Sequence, residues 1–299
     1  MAIIKLIVTG DMEKLALVDA LKKLFPAERA IAHGLTEPVE WDKPRKLHGA
    51  TSFRLSALTP DKGPGTQMAN LAQAMFDEAI AGKTGTPADL VIVIDDVELG
   101  NLGQEVMIAQ HFRGALETKL ATFSNISTQQ RYRTILQQKC SFHLLKPMVE
   151  SYLFGDELAL AAAGVAAEVM PLLRHETDVE QFESVDPLWL PDCQFENEQR
   201  KRHNPWWRHE LHPKAYMEHL SGRSGGEYDE TMHGKAALAA LDWRKVVKVA
   251  ADAPIICALL EDLSDWFGCP NPIIGRCKPD PDFYPIKTVN RGALLLRNM

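Results

Sequence analysis

The sequence predicts an α/β protein in which a buried parallel sheet is flanked by helices and is followed by a mostly helical C-terminal half. Three observations carry this expectation. Residues Ile3 to Val8 form a nearly continuous apolar run that breaks at Gly10 and gives way to apolar residues at 12, 15, 16, 17, 20, 21 and 24. Residues Leu90 to Ile94 are apolar at every position, as in a strand covered on both faces. Beyond about residue 140 the pattern turns to helical segments joined by polar, His-rich or Pro-rich stretches. A domain boundary is therefore expected near residue 140, with an α/β unit at 1–140 and a mostly helical region at 141–299 packed on it.

Each element follows from periodicity and punctuation. The first run reads as a buried strand, the turn at Gly10 and a helix over 12–24. Residues 26–66 are dense in Pro and Gly, which favours loops, with one strand expected near Ser52 to Leu58. Met68, Leu71, Ala72, Met75, Phe76 and Ala79 then share one face of a helix over 66–80. After the strand at 90–94, residues 104–122 read as the next helix. Later helical segments are expected at 147–173, 212–221, 233–251 and 254–267, and the Pro-rich stretch 270–285 as extended chain.

Composition limits the function. The chain has 299 residues, of which 45% are hydrophobic and 24% charged, so it can build a large core and is not a disordered or fibrous sequence. Thirty-three Lys and Arg against forty Asp and Glu leave a net charge of −7, so any contact with a polyanion must be local. The five cysteines, at 140, 193, 257, 269 and 277, form no close pairs and read as reduced thiols of a cytoplasmic protein. The longest apolar stretch, Leu158 to Leu173, carries Glu168 and Pro171 and is too short to span a bilayer. The N-terminal run lacks the shape of a signal peptide, so neither secretion nor membrane attachment is expected.

Candidate chemistry lies at two strand ends, because ligands of an open parallel sheet gather at the carboxyl edge. Thr9, Gly10, Asp11 and Glu13 follow the first strand, and Asp95, Asp96 and Glu98 follow the second. Residues 96 and 98 would project to the same side if the strand continued. Converging carboxylates suit a hard divalent cation such as Mg²⁺, whereas single acids after strands often serve only as helix caps or turn formers. Both readings stand on spacing alone. Glu150 is an isolated acid within the apolar run Met148 to Phe154, either a further ligand or a surface carboxylate. No P-loop, GxGxxG or Ser-His-Asp elbow is present, and Gly63-Pro64-Gly65-Thr66 lacks the lysine of a phosphate loop.

Taken in order, Val8 to Glu13, Val93 to Glu98, Met148 to Asp156, His212 to Tyr216 and Tyr228 to Gly234 resemble a family of short Toprim-like proteins from prokaryotic defence operons. The resemblance extends over most of residues 3–268, with Ala253-Pro254 opening a late helix that ends near Trp266. It implies the Mg²⁺-dependent fold of topoisomerases, primases and overcoming-lysogenization-defect nucleases, with a glutamate after the first strand and an Asp-x-Asp pair after a later one. Here Thr9 stands at the first glutamate's position with Glu13 one turn on, and the pair becomes Asp96-Val97-Glu98. The implied function is a Mg²⁺- or Mn²⁺-dependent nuclease acting on DNA or RNA in antiviral defence. Its implied catalytic residues are Glu13, Asp96, Glu98 and Glu150, with Asp95, Asp96 and Glu98 as metal ligands. An AAA- or ABC-type ATPase is the implied partner, and self-association is left open. The alternative is a catalytically degenerate subunit or sensor of a defence complex, which Thr9 favours.

A second candidate region runs from Arg200 to Lys214, where five Lys or Arg, three His and the adjacent Trp206 and Trp207 occur within fifteen residues. Arg200, Lys201, Arg202, Arg208 and Lys214 would contact phosphates and the two tryptophans would stack on unpaired bases. The same residues also fit a loop docked on the core. His203, His209 and His212 lack the spacing of a zinc site. His233 and Lys235, beside Gly234 at a helix start, are read either as a phosphate site or as part of a cap.

Overall fold

The computed structural model describes residues 1–25, 39–56, 63–82, 85–191, 209–273, 277 and 294–299. Five parallel strands make one sheet: β1 (Ala2–Val8), β2 (Val39–Trp41), β3 (Arg45–Lys46), β4 (Leu90–Asp96) and β5 (Cys140–Leu145). Their order is β2, β1, β4, β5, with β3 continuing the β2 edge alongside the end of β1. Ile4 pairs with Leu90 and Val91 with Cys140, so β1 and β4 lie at the centre and end beside one another.

Side chains alternate between two cores, as the two-residue period of a strand requires. Ile4, Leu6, Val8, Ile92 and Ile94 face one core, and Ile7, Val91, Val93, Phe142 and Leu144 face the other. The second core is closed by α2 (Thr66–Ile80), α3 (Glu105–Ala121) and α4 (Ile126–Lys139). The first is closed by a π-helical turn at Glu13–Leu17 running into α1 (Val18–Leu24), and by the C-terminal half. That half contains α5 (Glu150–Leu153), α6 (Glu157–Ala162), α7 (Pro213–Arg223), a π-helical turn at Glu230–Gly234, α8 (Lys235–Ala240), α9 (Trp243–Val246) and α10 (Pro254–Phe267). A boundary at residue 140 thus falls at the start of the last strand, and one core runs through both halves of the chain.

Several expectations change. The helix anticipated over 147–173 is instead two short helices, because Gly155 sits against α9, where a Cβ would lie 2.9 Å from Val246 Cα, and Gly164 adopts φ 89°. The segment expected at 233–251 is divided between the π turn, α8 and α9. Residues 52–56, expected in a strand, form an irregular loop held by side chains rather than by a ladder. Helix α4 and strand β5 are additional elements. Polar α4 has Leu136 as its one buried residue, and β5 carries Ser141 and His143 within its core run.

Those two polar residues explain how the β5 edge is closed. Ser141 Oγ and His143 Nε2 both meet the buried carboxylate of Asp262 on α10, which also receives Arg297 Nε at 3.2 Å. Asn298 Oδ1 accepts from Phe142 N at 3.2 Å and its Nδ2 donates to Phe142 O at 2.6 Å, and Arg297 N donates to Cys140 O. Residues 294–299 thereby pair with a strand edge that would otherwise present open donors and acceptors. Ser141, His143 and Asp262 are all buried, so this is a structural network.

Candidate functional site

The carboxyl ends of β1 and β4 open into a cavity of about 250 Å³ lined by Thr9, Gly10, Glu13, Gly49, Ser52, Asp95, Asp96, Glu98, Met148, Val149, Glu150, His212, Lys214 and Glu230. Six of these are acids and one is a lysine. Of the strand-end acids, Glu13, Asp95, Asp96 and Glu98 line the cavity, whereas Asp11 pairs with Lys46 outside it; Glu150, Lys214 and Glu230 come from the C-terminal half.

Glu13 reaches the cavity because the chain turns directly from β1 into a π-helical turn. Its carboxylate folds back over Gly10, where a Cβ would lie 2.1 Å from Oε2. Only glycine leaves that space. Glu13 is 2% exposed and its Oε2 is buried without a hydrogen-bond partner. Burial raises its pKa to about 8, opposed by a bond from its own backbone and reinforced by Glu150, Glu230 and Asp95.

Asp95 and Asp96 are adjacent and differ in role. Asp95 Oδ1 accepts from Thr9 Oγ1 at 2.8 Å and Oδ2 from Ala50 N at 3.0 Å, tying β1 and the 49–52 loop to β4. Burial raises Asp95 to about 6 even so. Asp96 is half-buried, and its Oδ1 is buried with no hydrogen-bond partner. Burial, then the charges of Glu13 and Glu98, raise its pKa well above the usual carboxylate value.

Glu98 is held by an extension of the β4–β5 pairing, in which Val97 N donates to Leu145 O and Glu98 N to Pro147 O, both at 2.8 Å. Its backbone lies at φ 62°, ψ 153°, a region that glycine alone adopts without strain. Burial and the neighbouring Asp95 raise its pKa to about 7. Glu150 opens α5, immediately after β5, and is 4% exposed, so it is not a surface carboxylate. Burial raises it to about 7, against the opposing charge of Lys214.

Lys214 enters from α7 and donates to Glu230 Oε2 at 2.6 Å. Against the effect of burial, Glu150 and Glu230 keep it charged with a raised pKa. Beside it, His212 caps α7 by accepting from Ala215 N, and burial lowers its pKa to about 4, so its imidazole is neutral. Lys214, expected at a nucleic-acid surface, is thus the counter-charge of the acidic cavity. The sequence marks His212 only as a zinc candidate and as the start of the 212–216 motif, and Glu230 only as part of the 228–234 motif; neither is expected at the strand-end site. Glu230 opens the π-helical turn at 230–234 and lines the cavity, while His233 accepts from Asp229 N and Lys235 is exposed. Neither His233 nor Lys235 lines the cavity. Arg200, Lys201, Arg202, Trp206, Trp207 and Arg208 lie outside the described residues.

Clustered carboxylates with unpartnered buried oxygens repel one another and call for positive charge beyond that of Lys214. The donors are all oxygens, the chemistry a hard divalent cation accepts. Among the described residues, no group of three or more His, Cys, Asp or Glu side chains is gathered as a ready-made metal cage. Also among these residues, no helix is long and apolar enough to cross a membrane. Compared with known proteins, the chain matches no family model, no curated protein and no solved structure.

Proposed function

We propose that the chain is a Mg²⁺- or Mn²⁺-dependent phosphodiesterase that cleaves DNA or RNA. The observation that carries this reading is the buried, unpartnered Oε2 of Glu13 in a cavity shared with Asp96, Glu98 and Glu150. Asp96, Glu98 and Glu150 would hold the cation, which when bound offsets their mutual repulsion and polarises a phosphoryl oxygen. Glu13, with an unpartnered oxygen buried in the cavity, would orient an attacking water and accept its proton once a bound cation has displaced the proton that burial holds on the carboxyl. Lys214 keeps its charge and offers a donor to the phosphate. Asp95 positions Thr9 and the 49–52 loop. By the resemblance of its motifs, the setting we propose is antiviral defence in the cytoplasm beside an AAA- or ABC-type ATPase.

The test is cleavage of labelled single-stranded and duplex oligonucleotides in Mg²⁺ and Mn²⁺. Cleavage that requires the cation and falls at least a hundredfold in Glu13→Gln supports the reading. No cleavage, together with undiminished partner binding by the variant, favours the second reading, a degenerate subunit. One observation specifically favours that alternative: Thr9, at the end of β1, supplies a hydroxyl to Asp95 and no carboxylate.

A further inference from the structure

We propose that Phe53 is the platform on which an unpaired base stacks when the adjoining phosphate enters the carboxylate cavity, making single-stranded nucleic acid the substrate. This inference rests on the phosphodiesterase reading and narrows it. Phe53 is 86% exposed, and scattered exposed apolar residues are ordinary on protein surfaces. What sets this ring apart is the way its loop is built.

Fully buried Asn101 donates through Nδ2 to Thr51 O at 2.7 Å and to Phe53 O at 3.2 Å, and its Oδ1 accepts from Leu55 N at 2.7 Å. Asp95 holds Ala50 N, Thr51 is buried, and Ser56 O meets His111 Nε2 at 2.8 Å. The loop is therefore fixed on both sides of Phe53, while the ring itself remains in water. Ser52, the preceding residue, lines the cavity. The 3₁₀ turn Leu99–Asn101 that clamps the loop directly follows Glu98, so the ring and a cavity carboxylate are referred to the same short segment. Exposed Arg54, the next residue along the loop, supplies positive charge for a neighbouring phosphate, needed where the cavity itself is acidic. An exposed aromatic ring on a clamped loop, one residue from a serine that lines the cavity, accepts any base, provided that the base is unstacked from its own strand.

The test measures binding of dye-labelled DNA and RNA single strands and a DNA duplex to the full chain by fluorescence anisotropy in Ca²⁺. Wild type is compared with Phe53→Ala, Phe53→Leu and Phe53→Trp, and Mn²⁺ binding is titrated in parallel by calorimetry. Phe53→Ala and Phe53→Leu are expected to weaken single-strand binding about tenfold or more, with Phe53→Trp near wild type and Mn²⁺ binding unchanged in all three. Whichever of the DNA and RNA strands shows that loss is the substrate polymer. Equal single-strand affinity in wild type and Phe53→Ala, or wild-type affinity in Phe53→Leu, overturns the stacking role while leaving the phosphodiesterase reading intact. Failure of the wild type to bind Mn²⁺ overturns both.

Discussion

At the residue scale, two positions show that the cavity is arranged at the expense of local ease. Glu98 occupies φ 62°, ψ 153° without being glycine, a conformation that costs roughly 1–3 kcal/mol. Glu98→Gly should therefore raise the thermal midpoint while abolishing Mn²⁺ binding, a divergence that scanning calorimetry and a cation titration read together. A fall in stability would show that the side chain holds its turn rather than serving the cavity. Gly10 acts by absence. An added Cβ at 2.1 Å from Glu13 Oε2 meets the far end of a flexible side chain rather than backbone, so Gly10→Ala should fold with a loss of no more than about 1 kcal/mol yet displace the carboxylate. The expected result is a midpoint and a cation affinity near wild type with cleavage reduced at least tenfold. Unchanged cleavage would remove Glu13 from the site. The acids at 13, 96, 98 and 150 were legible in the sequence because they follow apolar strands or interrupt an apolar run. The strain at Glu98 and the space at Gly10 were not, since both depend on where a neighbouring segment passes.

At the element scale, the site depends on how helices of the second half are anchored to the sheet. The buried carboxylate of Glu180 accepts from Ile255 N at 2.9 Å and Ile256 N at 2.8 Å at the start of α10, and from Tyr152 Oη at 2.9 Å on α5. One side chain thus joins α10 to the helix that opens with Glu150. Burial raises its pKa to about 7, opposed by those same bonds. Glu180→Ala leaves two helix N-terminal donors unpaired and takes away the acceptor of the Tyr152 hydroxyl, and should lower stability by about 2–4 kcal/mol in urea unfolding with an unchanged slope. A loss under about 0.5 kcal/mol would contradict this anchoring role. The span of α10, Pro254–Phe267, matches the sequence expectation because Pro opens it, Gly268 closes it and its apolar pattern is strong. Polar α4 and the three-residue β2 carry too little periodicity to be read that way, and the π-helical turns at 13–17 and 230–234 shift the inward face by a step that a 3.6-residue count misplaces.

At the scale of the whole molecule, stability should follow the charge of the cavity. Glu13 rises from 4.5 to about 8, and Glu98 and Glu150 from 4.5 to about 7, so the folded chain keeps protons that the unfolded chain has released. Their contribution is fully present below the unfolded value near 4.5 and is lost as pH rises to about 8. Asp262 works in the opposite sense. Burial would raise it, but Arg297, with His143 and Ser141, holds it well below the usual range, so its contribution is lost as pH falls below the unfolded value. The metal-free protein should therefore melt at a higher temperature near about pH 5.5 than near about pH 8.5. Millimolar Mn²⁺ should restore the loss at the higher pH, and a melting temperature flat across that interval would refute the electrostatic account. The parallel sheet and the strand ends that carry these groups were readable from two apolar runs. The counter-charge was not, because Lys214 comes from a segment more than 200 residues beyond β1 and meets the acids only through packing.

The most direct measurement is a calorimetric titration of Mn²⁺ and Mg²⁺ into the purified chain beside the Asp96→Asn/Glu98→Gln double variant, with both proteins shown to be folded. The account predicts saturable binding by the wild type that the double variant loses. Absence of binding by the wild type, or equal binding by the two, would contradict a cation site at the end of β4.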